Sequence, residues 1–272
     1  MDTDVAETRS APFKERIITE GDPRLAWPNG DGSTPSVSVV IPALNEERSL
    51  PHVLADVPDE YECVVVDGNS SDDTAAVARR VRPDAHVLHQ TGRGKSNALL
   101  EGFRRCTGDI IVMLDADGST DPKEIPRFVE ALQQGADFAK GSRFLDGGGS
   151  VDITPLRRLG VWGLSQIVNV LFRARYTDLC YGYNAFWARC LPVLELECEG
   201  FEIEALMNVR VLKLGLEVAE VPSFESARIH GDSNFNTFRD GSLIARLILR
   251  ERFGAWRSSR RPAAARSAST RT

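Results

Sequence analysis

A chain of 272 residues, 42% hydrophobic and 26% charged with a net charge of −6, can build a full core and lacks the basic excess of a general nucleic-acid binder. Its five cysteines (Cys63, Cys106, Cys180, Cys190 and Cys198) are odd in number and show no Cys-x-x-Cys spacing, which argues against a disulfide framework or a zinc site and for a reducing cytoplasm. No apolar run approaches the ~20 residues that span a bilayer, and no signal-peptide core opens the chain, so the expectation is a cytoplasmic protein, soluble or at most peripheral at the inner face of a membrane.

Residues 1–34 are polar and irregular and read as a flexible leader. Order is expected over residues 35–253. It begins with Val37-Ser38-Val39-Val40-Ile41, a β-branched run stopped by Pro42, and continues into a helical pattern carrying Leu50, Val53 and Leu54. A second strand, Glu62 to Val66, meets Asp67-Gly68-Asn69-Ser70-Ser71-Asp72-Asp73, a loop rich in N-cap residues, so a helix is expected from about Thr74 to Arg82. A short strand near His86 to His89 leads to Thr91-Gly92-Arg93-Gly94-Lys95 and a helix carrying Ala98, Leu99 and Phe103.

The fourth strand organises the rest. Ile110-Ile111-Val112-Met113-Leu114 reads as buried on both faces and runs straight into Asp115-Ala116-Asp117-Gly118. On an extended backbone, side chains spaced i, i+2 point the same way, so both acids can face one ligand. Converging carboxylates repel unless a cation lies between them, and Mg²⁺ takes one or two carboxylates and completes its shell with water and phosphate oxygens. The competing reading is a plain Asx turn, since Asp-Gly is a common turn pair.

A helix is then expected to about Gln134, and a fifth strand, Asp137 to Lys140, runs into Gly141-Ser142-Arg143. Four alternations of strand and helix with short loops predict an α/β fold with a parallel, doubly wound sheet. Every motif named so far sits at a strand's carboxyl end, where such sheets bind ligands. Further on come an amphipathic helix from Leu156 to about Phe172, a loop and strand around residues 178–187, a helix near Phe201 to Leu214, a strand at Glu217 to Val221 and a last helix from about Phe238 to Phe253. Residues 254–272 read as a basic, disordered tail. Leu243, Ile244, Leu247 and Ile248 form an apolar stripe on the last helix, read as packed on the core, with peripheral membrane contact as the alternative.

Individual motifs carry different weights. Gly94-Lys95-Ser96 is no P-loop, because His89 stands where that motif needs glycine. Arg93 and Lys95 at a helix start can still meet diphosphate, helped by free backbone amides; the competing reading is a plain solvated helix start. Asp67, ending a buried strand, suits a nucleobase or ribose, whereas Glu46 would be favourable in a helix's first turn without any ligand. Arg143 is either a phosphate contact through its planar fork or an exposed arginine.

Together these pieces resemble the family 2 glycosyltransferases of GT-A fold, a Rossmann-like, mostly parallel sheet flanked by helices, here one domain with a C-terminal helical extension. The matching pieces are Val40-Ile41-Pro42-Ala43-Leu44-Asn45-Glu46, Val66-Asp67-Gly68-Asn69-Ser70-Ser71-Asp72, Gly94-Lys95 and Asp115-Ala116-Asp117. Gly141-Ser142-Arg143, Arg157-Arg158, Gly200-Phe201-Glu202-Ile203-Glu204, Val221-Pro222 and Arg228 with Gly231-Asp232-Ser233 are similar to the dolichyl- or polyprenyl-phosphate mannose synthase branch.

The resemblance implies an inverting hexosyltransferase using Mg²⁺ or Mn²⁺ and a nucleotide-diphosphate sugar such as GDP-mannose or UDP-glucose. Pro42, Leu44, Glu46, Asp67 and Lys95 would hold the nucleotide sugar, with Asp115, Ala116 and Asp117 on its diphosphate through the metal. Arg143, Arg157 and Arg228 would meet a lipid-phosphate acceptor. Asn184 and Asn234 stand where basic residues are common in the branch, which keeps a saccharide or other hydroxyl acceptor open. Such an acceptor would need a carboxylate base, with Glu202, Glu204 and Asp178 as candidates, Glu204 foremost. Retaining transfer to a phosphoglycerate-like acceptor and non-catalytic nucleotide-sugar binding are the remaining alternatives.

Overall fold

The computed structural model describes residues 34–196, 202–231 and 237–254. The expected leader and tail therefore fall outside the described residues, apart from Thr34 and Gly254. In chain order the elements are β1 (Val37–Ala43), α1 (Leu50–Asp56), β2 (Glu62–Asp67), α2 (Thr74–Val81), β3 (His86–His89), α3 (Gly94–Arg105) and β4 (Ile110–Met113). Then follow α4 (Ile125–Gln133), β5 (Phe138–Ser142), β6 (Gly149–Ser150), α5 (Pro155–Phe172), β7 (Asn184–Trp187) and α6 (Leu191–Leu194). The chain continues through α7 (Ile203–Leu214), β8 (Val218–Pro222), β9 (Phe224–Glu225) and α8 (Thr237–Phe253).

Seven strands form one sheet in the order β3-β2-β1-β4-β7-β5-β8. The pairs β1–β2, β1–β4, β2–β3 and β5–β8 are parallel, as the alternation of strand and helix predicts. Strand β4 is buried along its whole length, and β1 is buried at every position but Pro42, because helices cover both faces. Apolar side chains such as Leu99 and Phe103 of α3 and Phe128 and Leu132 of α4 fill those layers.

Strand β7 departs from the parallel expectation. It runs antiparallel to both β4 and β5, with Met113 opposite Asn184 on one side and Lys140 opposite Asn184 on the other. Its apolar residues close the gap between the two parallel blocks: Phe186 stacks on Phe138 of β5 at 5.8 Å and meets Phe103 of α3 edge-on at 5.4 Å. Because β7 is reversed, the loop leading into it, residues 178–183, lies at the carboxyl ends of the parallel strands. That places this loop against Asp115.

Two helices also differ from a simple amphipathic reading. Helix α7 is buried along its whole length, and its charged residues have partners: Lys213 Nζ reaches Glu251 at 2.9 Å and Arg210 reaches the same carboxylate at 3.2 Å. Helix α5 turns Val161, Ser165, Val168 and Phe172 inward, yet Leu159, Trp162 and Val170 on its outer side are exposed. On α8, Ile244, Leu247 and Ile248 face the core as expected, whereas Leu243, the fourth residue of the expected stripe, is exposed.

Candidate functional site

A cleft of about 360 Å³ opens at the carboxyl ends of the parallel strands. Its walls include Pro42, Leu44, Glu46, Lys95, Asp115, Ala116, Asp117, Arg143, Arg157, Glu204 and Arg228, so residues scattered over nearly 190 positions converge on one space. Of the residues singled out from the sequence as site candidates, Asp67, Arg93, Asp178 and Glu202 do not line it; Gly68, the neighbour of Asp67, does. Gln90, Ser119, Cys180, Tyr181, Gly182, Glu225 and Ile244 complete much of the wall and carried no motif that would have marked them.

One wall is made by two loops zipped together. The Asn45 amide donates to Ser70 Oγ at 2.9 Å, the Ser71 amide to Asn45 Oδ1 at 2.8 Å and the Glu46 amide to Thr74 Oγ1 at 2.8 Å. The Asp73 amide donates to Glu47 Oε2 at 3.0 Å, and the Gly68 amide to the Ala43 carbonyl at 2.7 Å. Asn45 and Asn69 take φ of 59° and 63°, a region asparagine enters more readily than most residues. Much of the polar character of these two motifs therefore holds the wall in shape. Asp67 belongs to the same scaffold: its carboxylate accepts from the Ser70 amide at 3.1 Å and pairs with His89 Nδ1 at 2.9 Å.

At the centre the two β4 acids come together through a turn, not an extended strand, since β4 ends at Met113. Gly118 has φ of +76°, which favours glycine in this turn, and a Cβ there would displace the tip of the Ile229 side chain. Asp117 Oδ1 accepts from the Ser119 amide at 2.9 Å and from Ser119 Oγ at 2.6 Å, while Oδ2 pairs with Arg228 at 2.8 Å. The Asx turn is thus realised at Asp117, with its second oxygen held by Arg228 on the cleft wall. Lys95 Nζ bridges Asp115 Oδ1 at 2.7 Å and Glu204 Oε1 at 2.8 Å.

These charges set the local protonation. Burial opposes the Asp115 carboxylate, but Lys95 first, and then Arg228 and Arg157, more than offset it and hold Asp115 below the usual carboxylate range. Burial likewise opposes the Lys95 ammonium, and Asp115 and Glu204 overcome it, so Lys95 stays charged. Glu46 goes the other way: burial, reinforced by Asp117 and Asp115, raises it.

The donor set fits a hard divalent cation. Asp115 Oδ2 has no hydrogen-bond partner among the described residues and faces Gly182, where a Cβ would stand 3.0 Å from that oxygen and 3.1 Å from Lys95 Nζ. Glycine there leaves the carboxylate open. Asp115 and Asp117 would supply two carboxylates, the sparse protein ligation that suits Mg²⁺.

Arg143 differs from the free phosphate fork anticipated for it. Its side chain is 1% exposed; Nε and Nη2 donate to Asp178 at 2.7 and 3.0 Å, and Nη1 donates to Glu225 at 3.0 Å. The guanidinium also lies 4.8 Å from the centre of the Tyr181 ring. Asp178 is fully buried in this network, where Arg143 outweighs burial and holds it below the usual range, which removes it as a base. Burial pushes the Cys180 thiol up to about 12, so it is no nucleophile. Among the candidate bases, Glu204 lines the cleft and Glu202 does not. Asn184 lies inside β7, where its amide donates to the Tyr181 carbonyl at 3.1 Å, so its neutrality removes no charge from the cleft wall. Asn234, like Gly200, Phe201, Asp232 and Ser233, lies outside the described residues.

The family model "Glycosyl transferase family 2" matches residues 38–190. An undecaprenyl-phosphate mannosyltransferase of Micrococcus luteus is 34% identical over 226 residues, covering 78% of this chain and 91% of the relative. A polyprenol monophosphomannose synthase of Mycolicibacterium smegmatis is 34% identical over 68% of this chain and 75% of its own length. Among solved structures, glucosyl-3-phosphoglycerate synthase of Mycobacterium tuberculosis superposes with a TM-score of 0.62 at 23% identity over 80% of this chain and 81% of that one, a likeness of fold.

Proposed function

The chain belongs to glycosyl transferase family 2, and on that premise we propose that it transfers a hexose, mannose or glucose, from a nucleotide-diphosphate sugar to a polyprenyl phosphate, with inversion and with a divalent cation. One observation carries the reading. The acids Asp115 and Asp117 share a single cleft with Lys95, Arg157 and Arg228, so a metal-binding pair and a phosphate-binding set face the same space.

In this reading the nucleotide lies against Pro42, Leu44 and Gly68, with Asp67 and His89 holding the loop beneath it. Asp115 and Asp117 would hold Mg²⁺ or Mn²⁺, whose chemistry when bound is to neutralise charge developing on the departing diphosphate. Lys95 and Arg228 hold the two carboxylates before the donor arrives and have the charge to meet its phosphate oxygens afterwards. A phosphate monoester acceptor is largely ionised near neutral pH, its second pKa being ~6, so it needs orientation more than a base. Arg157 and Arg228 would supply that orientation, and the buried Arg143 acts by fixing Asp178 and Glu225 behind them.

The location of Glu204 favours a second reading, transfer to a hydroxyl acceptor. It lines the cleft, paired with Lys95, where a general base would be needed. The two readings separate in one assay: labelled GDP-mannose or UDP-glucose, a short polyprenyl phosphate, and Mn²⁺ or EDTA. Metal-dependent movement of label into the organic phase is the expected result. Label that stays aqueous while the nucleotide sugar binds would displace the lipid-phosphate acceptor in favour of a hydroxyl.

A further inference from the structure

Lys95 stands in the first turn of α3, at the end where the helix dipole disfavours a cation, and that turn holds no acid of its own. Two carboxylates from other elements keep it there. Its Nζ lies 2.7 Å from Asp115 Oδ1, in the turn after β4, and 2.8 Å from Glu204 Oε1, in the first turn of α7. The two acids are not equivalent. Asp115 is one of the pair that would hold the divalent cation, and its side chain is 29% exposed. Glu204 is 8% exposed and belongs to a helix buried along its whole length. It also sits where the helix dipole favours an acid, so it is the fixed end of the bridge.

Lys95 on Asp115, and Arg228 on Asp117 Oδ2 at 2.8 Å, already neutralise both carboxylates. A divalent cation seated on Asp115 would repel an ammonium left beside it, and in a partly buried site that repulsion is strong. Lys95 then has to let go of Asp115. Glu204 gives it a second partner without letting it leave the cleft, whose wall both residues line.

We infer that Glu204 is a positioning residue that acts through Lys95: it shares the ammonium with Asp115, retains it when a cation takes Asp115, and so keeps it facing the donor's diphosphate. The inference rests on the proposed metal site. It holds for either acceptor, because Glu204 takes no proton in this role. It also gives the two residues opposite effects on the cation affinity of the protein before any nucleotide binds. Lys95 lowers that affinity by occupying Asp115, and Glu204 raises it by drawing Lys95 aside.

The test is the Mn²⁺ affinity of the full chain without nucleotide, read from the electron paramagnetic resonance of the free ion. Lys95→Met should bind Mn²⁺ about tenfold more tightly than the wild type and Glu204→Gln about tenfold less tightly, each the scale of one charge-assisted hydrogen bond. Lys95→Met/Glu204→Gln should bind as Lys95→Met does, since Glu204 has nothing to act through once the ammonium is gone. If Lys95→Met fails to fold because Glu204 is left buried and unpaired, the double variant, which leaves no such charge, should still bind Mn²⁺ more tightly than the wild type. Equal weakening by Glu204→Gln with and without Lys95 would show Glu204 acting on the cation directly and would overturn the inference. Wild-type Mn²⁺ affinity in Glu204→Gln with transfer abolished would make Glu204 a base and would overturn it too. Asp117→Asn separates these failures from that of the metal site. Mn²⁺ binding that needs Asp117 but ignores Lys95 and Glu204 sinks the inference alone, whereas binding that survives Asp117→Asn, or is absent from every protein, sinks the metal site as well.

Discussion

The two sides of the cleft are built differently. The proposed nucleotide side, from β1 to β4, is assembled from loops close in sequence and held by hydrogen bonds from neutral amides and hydroxyls, such as the Asn45 amide to Ser70 Oγ. The proposed acceptor side is assembled from charges far apart in the chain, with the buried Arg143 gripping Asp178 and Glu225. A wall of short loops can adjust to a ligand at little cost. A buried ion network is rigid and costly to break, because each ion left alone loses several kcal/mol of solvation. Substitutions should therefore separate: on the acceptor side removal of a buried charge costs stability, and at the carboxylate centre it costs turnover.

The largest effect on turnover is expected from Asp117→Asn. Metal-assisted charge neutralisation contributes several kcal/mol at the transition state, so transfer should fall by about 10²–10³-fold or more. Its partner Arg228 is 25% exposed, so the melting temperature should move by only a few degrees. Arg143→Ala should do the reverse, costing about 3–5 kcal/mol by leaving Asp178 and Glu225 buried without their partner, as read by denaturant unfolding. Arg157→Gln sits between these extremes. On the proposed reading it raises the KM for the acceptor by about tenfold, leaves that for the donor, and barely changes stability.

The smallest effect is one of pH, and it sharpens the contrast because its sign reverses. In the wild type Asp178 is held below its ordinary value, so its contribution to stability is complete above about pH 4 and is lost as pH falls through the lowered folded value. In Arg143→Ala, burial is the largest remaining influence and raises Asp178, so that variant should lose stability as pH rises from about 4 to 7. Urea unfolding of both proteins across that range reads the two slopes. Parallel slopes would mean that Arg143 does not control Asp178.

The parallel strands and the cleft they frame were legible because each motif follows a buried apolar run, so Pro42, Glu46, Lys95, Asp115 and Asp117 could be assigned to one end of one sheet. Asp67 was legible as a strand-end acid, but its two partners, the Ser70 amide and His89, could not be read from the motif. The reversed β7 was hidden because four residues, Asn184 to Trp187, carry no signal of direction. The grip on Arg143 was hidden for a related reason: its partners lie 35 and 82 positions away, and an arginine after a Gly-Ser turn looks the same whether it is free or locked. An amphipathic α5 was expected, but its sequence does not say which apolar residues face out; burial shows that Leu159, Trp162 and Val170 do.

The central claim is that Asp115 and Asp117 bind the donor's diphosphate through a divalent cation, and calorimetry tests it without any acceptor. GDP and UDP would be titrated into the wild type and Asp117→Asn, each with Mn²⁺ and with EDTA. The account predicts that Mn²⁺ tightens the preferred nucleotide by about tenfold or more in the wild type and leaves its affinity for Asp117→Asn unchanged. The same Mn²⁺ enhancement in both proteins would contradict it.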